Sequence, residues 1–366
     1  MLSLPAAETE IARLWQEEAH SKGPRIELMT IIALVSEPAL LGRAQQVLDQ
    51  VARAHPSRTI AAVWKSGAVP SITADVALRR VAEGGPTCGD AIVLEACGVA
   101  HEWLPENVQR FILPDLPVCV WWVGDLPDFD DLFERMVVRA DLVVVNSAEM
   151  DLRDLQKLSA IASRPTGSYA IADLAWIRLR SLQDLVARFF DDEAGARCLG
   201  SVARIAIAFS PPTQEDVAST TAGLLFGWMA NALALPLDSV TWSSGDTWAE
   251  AKLAGVSARF DRRPRGDVPP GSILDVVIEC PGARFEVERQ ADPQVFRWLR
   301  EVPDGAMPAQ MLRVGMHEEG TLLVRALVTP KRDPLLEVSL RAASRVVQAV
   351  APRRSSPPMS APTSRA

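Results

Sequence analysis

LPDLPVCVWWVGDLPDFDDLFERMVVRADLVVVNSAEM, residues 113–150, is the stretch on which the reading of the fold turns. Pro117 to Val123 is an apolar run of strand length carrying two adjacent tryptophans. Asp128 to Val138 follows with helical spacing, and Leu142 to Asn146 is a second apolar strand. Strand, helix and strand in that order form the repeating unit of an open α/β layer sheet. Neighbouring side chains on a strand point to opposite faces, so Trp121 and Trp122 must part. One enters the core, and the other is either covered by a helix or left available to a partner.

The residues upstream extend the pattern. Glu8 to Glu18 reads as a short amphipathic helix with Ile11, Leu14 and Trp15 on one side, ended by Gly23-Pro24. Ile26 to Val35 is a nearly continuous apolar run, as expected of a central strand covered on both faces. Glu37-Pro38 opens a helix whose Leu40, Leu41, Ala44, Val47, Leu48 and Val51 keep the 3.6-residue period, and His55-Pro56 stops it before a strand from Thr59 to Lys65. Ile72 to Val81 and Ala91 to Val99 are shorter strands on either side of a Gly84-Gly85-Pro86 turn, which predicts antiparallel pairing and a mixed sheet. A helix near Glu102 to Ile112 completes this half.

Downstream, Ser163 to Gly167 reads as a linker and Asp173 to Phe190 as an amphipathic helix. A strand from Val202 to Phe209, a helix from Glu215 to Leu235, β-like runs clearest at Ser272 to Glu279 and Arg284 to Glu288, and closing helices at Glu318 to Val328 and Pro334 to Val350 follow. The expected organisation is an α/β protein of two domains, the first an open mixed sheet flanked by helices and the second α+β. The expected bounds are an N-terminal helix over 1–22, the α/β domain over 23–167, the α+β domain over 168–351 and a disordered tail over 352–366, rich in Pro, Ser and Arg without an acid.

With 366 residues, 48% hydrophobic and 23% charged, the chain has ordinary globular usage at a length suited to two cores. A net charge of −8 argues against a nucleic-acid backbone as the main partner, since phosphate binding is driven by Lys and Arg. The opening MLSLPAAETE has no cationic region ahead of its apolar residues, so a cytoplasmic location is expected. Val217 to Leu237 is free of charge and holds Gly223 and Gly227 at G-x-x-x-G spacing, yet it carries Ser219, Thr220, Thr221 and Asn231 and has no Lys or Arg anchor. It reads as a buried helix of a soluble domain, so no membrane partner is expected. Cys88, Cys97, Cys119, Cys198 and Cys280 are odd in number and widely spaced, which suits reduced thiols. Only Cys88 and Cys97 are near neighbours in sequence, so little dependence on thiol oxidation is expected.

Motifs for chemistry are missing. No glycine-rich loop ends in Lys and Ser or Thr, no G-x-G-x-x-G follows the first strand, and no G-x-S-x-G occurs. His20, His55, His101 and His317 never take metal-ligand spacing. The acids Asp125, Asp128, Asp130, Asp131 and Glu134 could hold Mg²⁺ with a phosphate. The same residues serve as an N-cap and first-turn acids that complement a helix dipole. No cofactor or metal is expected.

The segment quoted first resembles the glucose-6-phosphate dehydrogenase assembly proteins, the OpcA family. Asp115, Leu116, Pro117, Trp121, Trp122, Gly124, Ala140, Asp141 and Ser147 occupy the family's places, while Val123 stands where the family often has a basic residue. HPSR at His55 to Arg58, CGDAIVLEACG at Cys88 to Gly98, Leu174-Ala175-Trp176 and AGLLFGWMANAL at Ala222 to Leu233 are similar as well. The resemblance implies a non-catalytic partner of glucose-6-phosphate dehydrogenase that favours its active oligomer. Asp115, Pro117, Trp121, Trp122, Gly124, Asp125, His55 and Arg58 are then the candidate partner-binding residues. The competing reading is an enzyme that acts on a sugar phosphate or nucleotide through the acids after Trp122.

Overall fold

The computed structural model describes residues 2–19, 27–67, 69–80, 87–124, 126, 131–150, 154–163, 169–211, 219–235, 237, 240–253, 255–303, 307–328 and 332–350. The Gly84 to Pro86 turn, the linker after Ser163, Asp125, Asp128, Asp130 and the tail expected over 352–366 lie outside the described residues.

The first half runs α1 (Leu4–Ala19), β1 (Thr30–Val35), α2 (Leu41–Ala54), β2 (Arg58–Lys65), β3 (Ser71–Arg80), β4 (Thr87–Cys97), α3 (Leu104–Gln109), β5 (Val118–Val123), α4 (Asp131–Val137), β6 (Leu142–Val145), α5 (Asp154–Ala162) and β7 (Ala170–Asp173). Its seven strands form one sheet in the order β3-β4-β2-β1-β5-β6-β7. Only the edge strand β3 runs antiparallel to its neighbour. The sheet is therefore mixed, as expected. Without that edge, the six parallel strands follow the 3-2-1-4-5-6 order of the doubly wound dinucleotide fold.

The second half runs α6 (Leu174–Ala187), α7 (Glu193–Ala196), β8 (Arg204–Phe209), α8 (Thr220–Ala232), β9 (Thr241–Ser244), β10 (Trp248–Leu253), β11 (Val256–Arg262), β12 (Ile273–Cys280), β13 (Ala283–Arg289), β14 (Val295–Glu301), β15 (Met307–Arg313), α9 (Glu319–Val328) and α10 (Pro334–Val350). Its eight strands form a second sheet in the order β15-β14-β13-β12-β8-β11-β10-β9, with β8 and β11 the single parallel pair. Five of these strands were legible only as unspecified β-like runs, because short strands with one polar face carry a weak periodic signal. The helix expected over Glu102 to Ile112 is a 3₁₀ turn, Gly98–Trp103, leading into the six-residue α3. Pro105 in its first turn suits a helix start and not an interior.

The central strands are buried on both faces. On one face Ile31, Ala33, Val63, Trp121 and Val144 meet Val47 and Leu48 of α2 and Leu322, Leu323, Ala326 and Leu327 of α9. On the other, Ile32, Leu34, Val120, Trp122 and Val143 join a core that includes α3, α4 and α5 and continues into the second half. β7 lies beyond the expected linker and still belongs to the first sheet, and α9 returns to it from far along the chain. We keep 23–167 and 168–351 as the proposed units of the chain, while the cores cross that boundary.

The uncharged segment around Gly223 and Gly227 is the buried helix α8, packed against α10. No helix among the described residues is long and apolar enough to cross a membrane. The two glycines are not equivalent. A Cβ on Gly227 would strike Ser339 O and come within 2.9 Å of Ala343 N, both backbone atoms of α10, whereas one on Gly223 would meet only Leu155 Cδ1 at 3.6 Å. Gly227→Ala is expected to cost about 1–3 kcal/mol as the helices are forced apart. Gly223→Ala should be neutral or gain up to about 1 kcal/mol from helix propensity. Urea unfolding of the two variants checks both signs.

Candidate functional site

In an open doubly wound sheet, ligands bind at the carboxyl ends of the strands where the order reverses, here between β1 and β5. The chain leaves β1 through Ser36-Glu37-Pro38, and Ser36 N donates to Val123 O at 3.1 Å. It leaves β5 at Gly124, whose φ of +93° and contact with Ser36 Oγ exclude a side chain. The two exits press on each other where a phosphate would enter.

The chain's own charged groups fill the rest of that edge. Arg43, in the first turn of α2, donates to Glu319 Oε2 at 2.8 Å through Nε and to Glu149 Oε2 at 2.9 Å through Nη1. Asn146 Nδ2 donates to Glu149 at 2.8 Å. The bond to Glu149 holds the Arg43 guanidinium firmly protonated, and burial pushes the Glu319 carboxyl up while Arg43 opposes it. Beside them Asp173, 1% exposed at the end of β7, caps α6. It accepts from Ser147 N at 3.0 Å, Ser147 Oγ at 2.6 Å and Ala175 N at 3.0 Å. Burial raises the Asp173 carboxyl, and these donors together with Arg178 counter the rise. Thr220 Oγ1 donates to Ser147 O, so α8 is stitched to the same edge.

The candidate partner-binding residues do not form one surface. His55, Arg58, Asp115 and Pro117 lie at the amino ends of β2 and β5, the edge opposite Gly124. Asp115 and Pro117 are exposed and His55 is partly so. Arg58 is buried: Nε donates to Asp90 Oδ2 at 2.8 Å and Nη1 to Phe111 O at 2.8 Å. Trp15 of α1 donates to the other oxygen of Asp90. The HPSR motif thus carries a structural ion pair. Trp121 and Trp122 are 0% and 1% exposed, so neither indole is an available anchor. Trp121 faces α2 and α9, and Trp122 packs on Phe133 and Trp64 at 5.6 and 6.3 Å. Among the described residues no three His, Cys, Asp or Glu side chains gather as a metal site. Cys280 Sγ lies 3.4 Å from Cys198 O, a neighbourhood hidden by their separation in sequence.

One surface went unread in the sequence. The second sheet turns Ile205, Ile207, Phe260, Phe285 and Val287 toward the helices. The alternate residues build a lattice of ion pairs on the other face. Glu279 receives Arg204 at 3.2 Å and Arg284 at 2.7 Å, Arg284 also reaches Glu286 at 2.7 Å, and Arg297 bridges Glu286 and Glu288. Arg204 directly opposes Glu279, and Glu279 opposes Arg284, across β8, β12 and β13. The pattern is visible only once register is known. Read along the chain, these residues are scattered charges.

The geometry defines a doubly wound nucleotide-type fold in which, among the described residues, Arg43, Glu149 and Glu319 form an ion-pair cluster at the strand carboxyl ends, and whose second sheet presents a charged face. Residues 48–162 match the family described as glucose-6-phosphate dehydrogenase subunit N-terminal domain, and residues 169–340 match its C-terminal domain. The chain belongs to the glucose-6-phosphate dehydrogenase assembly protein family, OpcA. It is 27% identical over 223 residues to the OxPP cycle protein OpcA of Synechocystis sp., covering 59% of this chain and 45% of that protein. It is 25% identical over 230 residues to that of Nostoc punctiforme, covering 58% and 48%. The chain thus spans about half the length of the curated relatives it matches. Solved structures similar over most of the chain include an oxidoreductase from Sinorhizobium meliloti (TM-score 0.47, 11% identity, 88% of this chain and 96% of that one). An oxidoreductase domain protein from Kribbella flavida is another (TM-score 0.48, 14% identity, 88% and 96%). Likenesses at this level carry no function across.

Asp275 makes the open face sensitive to pH. It sits opposite Glu288, its Oδ1 is buried without a partner, and desolvation, with Glu286 next, pushes its carboxyl up to about 6. A carboxyl raised in the folded state contributes stability that is present below its unfolded value, near 4, and lost as pH rises through about 6. Asp275→Asn should therefore be more stable than the parent by roughly 1–3 kcal/mol at pH 8, with the difference vanishing near pH 4. Denaturant unfolding across that range measures it.

Proposed function

We propose that this chain acts without a catalytic site of its own, as a cytoplasmic assembly partner that binds glucose-6-phosphate dehydrogenase and favours its active oligomer, promoting the oxidative pentose phosphate pathway. Membership of the assembly family supports the partner. The observation that carries the non-catalytic reading is the ion-pair cluster of Arg43, Glu149 and Glu319 at the strand carboxyl ends, where this fold takes its ligand. The competing reading, an enzyme using the acids after Trp122, has no observation of its own to favour it.

The mechanism is linkage. A partner that binds the assembled enzyme more tightly than its separate subunits shifts the equilibrium by that difference in affinity. We place the docking surface on the open face of the second sheet, where Arg204 and Arg284 are about half exposed within a lattice that can exchange internal pairs for external ones. The exposed loop at Asp115 and Pro117, with His55, is the second candidate.

Steady-state assays of the cognate dehydrogenase with and without the chain, alongside sedimentation of the mixture, test the proposal. The chain alone should show no dehydrogenase activity, and adding it should raise the rate and the oligomer fraction together. The double variant Arg204→Glu, Arg284→Glu should weaken binding about tenfold or more, largely through slower association at low salt. Asp115→Ala serves as the comparison for the loop. An unchanged rate and an unchanged oligomer distribution over a wide concentration range would remove the assembly reading.

A further inference from the structure

Between α6, α8 and the second sheet lies a cavity of about 100 Å³. By the same measure a single water needs roughly 10–15 Å³, so the space admits a group of several heavy atoms. Arg178 of α6, Thr221 in the first turn of α8, Gly271 and Ser272 before β12, Arg289 at the end of β13 and His317 before α9 line it. No Asp or Glu is among the described lining residues, in a chain whose net charge is −8.

Two of these side chains are left unfinished by the fold. Thr221 is 4% exposed, and its Oγ1 has no hydrogen-bond partner among the described residues although it is shielded from solvent. A buried hydroxyl without a partner is costly, and such groups in native proteins call for a reason. The Arg178 guanidinium is partly buried, burial lowers its hold on the proton, and no side-chain hydrogen bond is among the influences on it. Asp173, Glu319 and Glu149 act on it through charge, while their oxygens also accept from Ser147, Ala175 and Arg43. Arg289 is held in place from behind: Nε donates to Ile273 O at 3.0 Å, Nη1 to Pro293 O, and the guanidinium stacks on Phe296 at 4.4 Å. Its remaining N–H groups are not accounted for by these bonds. Burial and the neighbouring Arg265 pull its proton affinity down to about 10, so it stays charged at neutral pH.

We propose that this cavity is a binding site for a small phosphate-bearing ligand, held by Arg178 and Arg289 and oriented by the Thr221 hydroxyl. Guanidinium groups and a hydroxyl that line one cavity from separate elements suit a tetrahedral oxyanion, which accepts hydrogen bonds in several directions at once. A planar carboxylate would satisfy one arginine and leave the rest of the site unfilled. Because the ligand would touch α6, α8, β12, β13 and the segment leading to α9, its binding would tie these elements of the second half together. The site stands independently of the dehydrogenase.

Isothermal titration of the full chain at low ionic strength tests the proposal, with inorganic phosphate, glycerol 3-phosphate, acetate and uncharged glycerol as probes. One of the two phosphate compounds should bind with one-to-one stoichiometry and a Kd below about 1 mM, and acetate and glycerol should bind more weakly or not at all. Arg178→Gln should lose about tenfold or more in affinity. Thr221→Val is the sharper variant: it keeps the shape, removes a hydroxyl that has no partner in the free protein, and should leave thermal stability equal or higher while affinity falls severalfold. No saturable binding of either phosphate compound, glycerol binding as tightly as its phosphate, or wild-type affinity in either variant would overturn the assignment.

Discussion

A parallel sheet buried on both faces needs two layers of apolar helix, and the rest of the structure follows from how that requirement is met. α2 cannot cover its face of the first sheet alone. The remaining apolar strip is covered by α9, contributed from far beyond the last strand of that sheet, with Leu322, Leu323, Ala326 and Leu327 buried against the Trp121 side of the sheet. Burying a leucine side chain contributes about 1.5–3 kcal/mol, so this one short helix supplies a large share of what holds the halves together. The family's two regions meet between residues 162 and 169, yet the hydrophobic core does not divide there.

Seating α9 on α2 also determines the electrostatics of the crevice. Glu319, the first residue of α9, arrives beside Arg43, and Glu149 reaches the same guanidinium from the loop after β6. Once three charged side chains from distant segments share one site, each is costly to uncover, since removing one partner strands the others in a partly buried position. The fold keeps the strand order of nucleotide-binding proteins while the entrance between β1 and β5 is occupied. At the opposite edge, the buried Arg58 and Asp90 pair, joined by Trp15, fastens the N-terminal helix to β2 and β4. Ion pairs lie at both ends of the first sheet's strands, while the second sheet keeps Arg204 and Arg284 about half exposed.

The divergence between the halves has a common cause. The first sheet is covered on two sides, so its strands are apolar throughout and leave little room for function on their faces. The second sheet is covered by helices on one side and carries only a small buried cluster, Ala208, Val268 and Leu274, on the other, so the arginines and carboxylates of β8, β12, β13 and β14 occupy much of that face. Asp275 falls opposite Glu288, and burial with the charge of Glu286 raises its carboxyl although Arg263 lies 3.5 Å away.

Local pattern alone determined the central strands, α2 and both closing helices, α10 to the residue, because continuous apolar runs and the 3.6-residue period are written in neighbouring positions. It also determined that Trp121 and Trp122 face opposite ways. Only the tertiary structure decided that both are buried, because burial depends on whether α4 and α9 cover them, and α9 lies near the far end of the chain. The role of Arg58 was equally hidden: HPSR reads as a surface motif until Asp90 is brought beside it by the pairing of β2 with β4. The charge lattice of the second sheet and the cavity between Arg178, Thr221 and Arg289 depend on register and on the approach of five separate elements. Sequence periodicity reports how a residue relates to its neighbours three or four positions away, and these sites are made by residues that meet only when the sheets close.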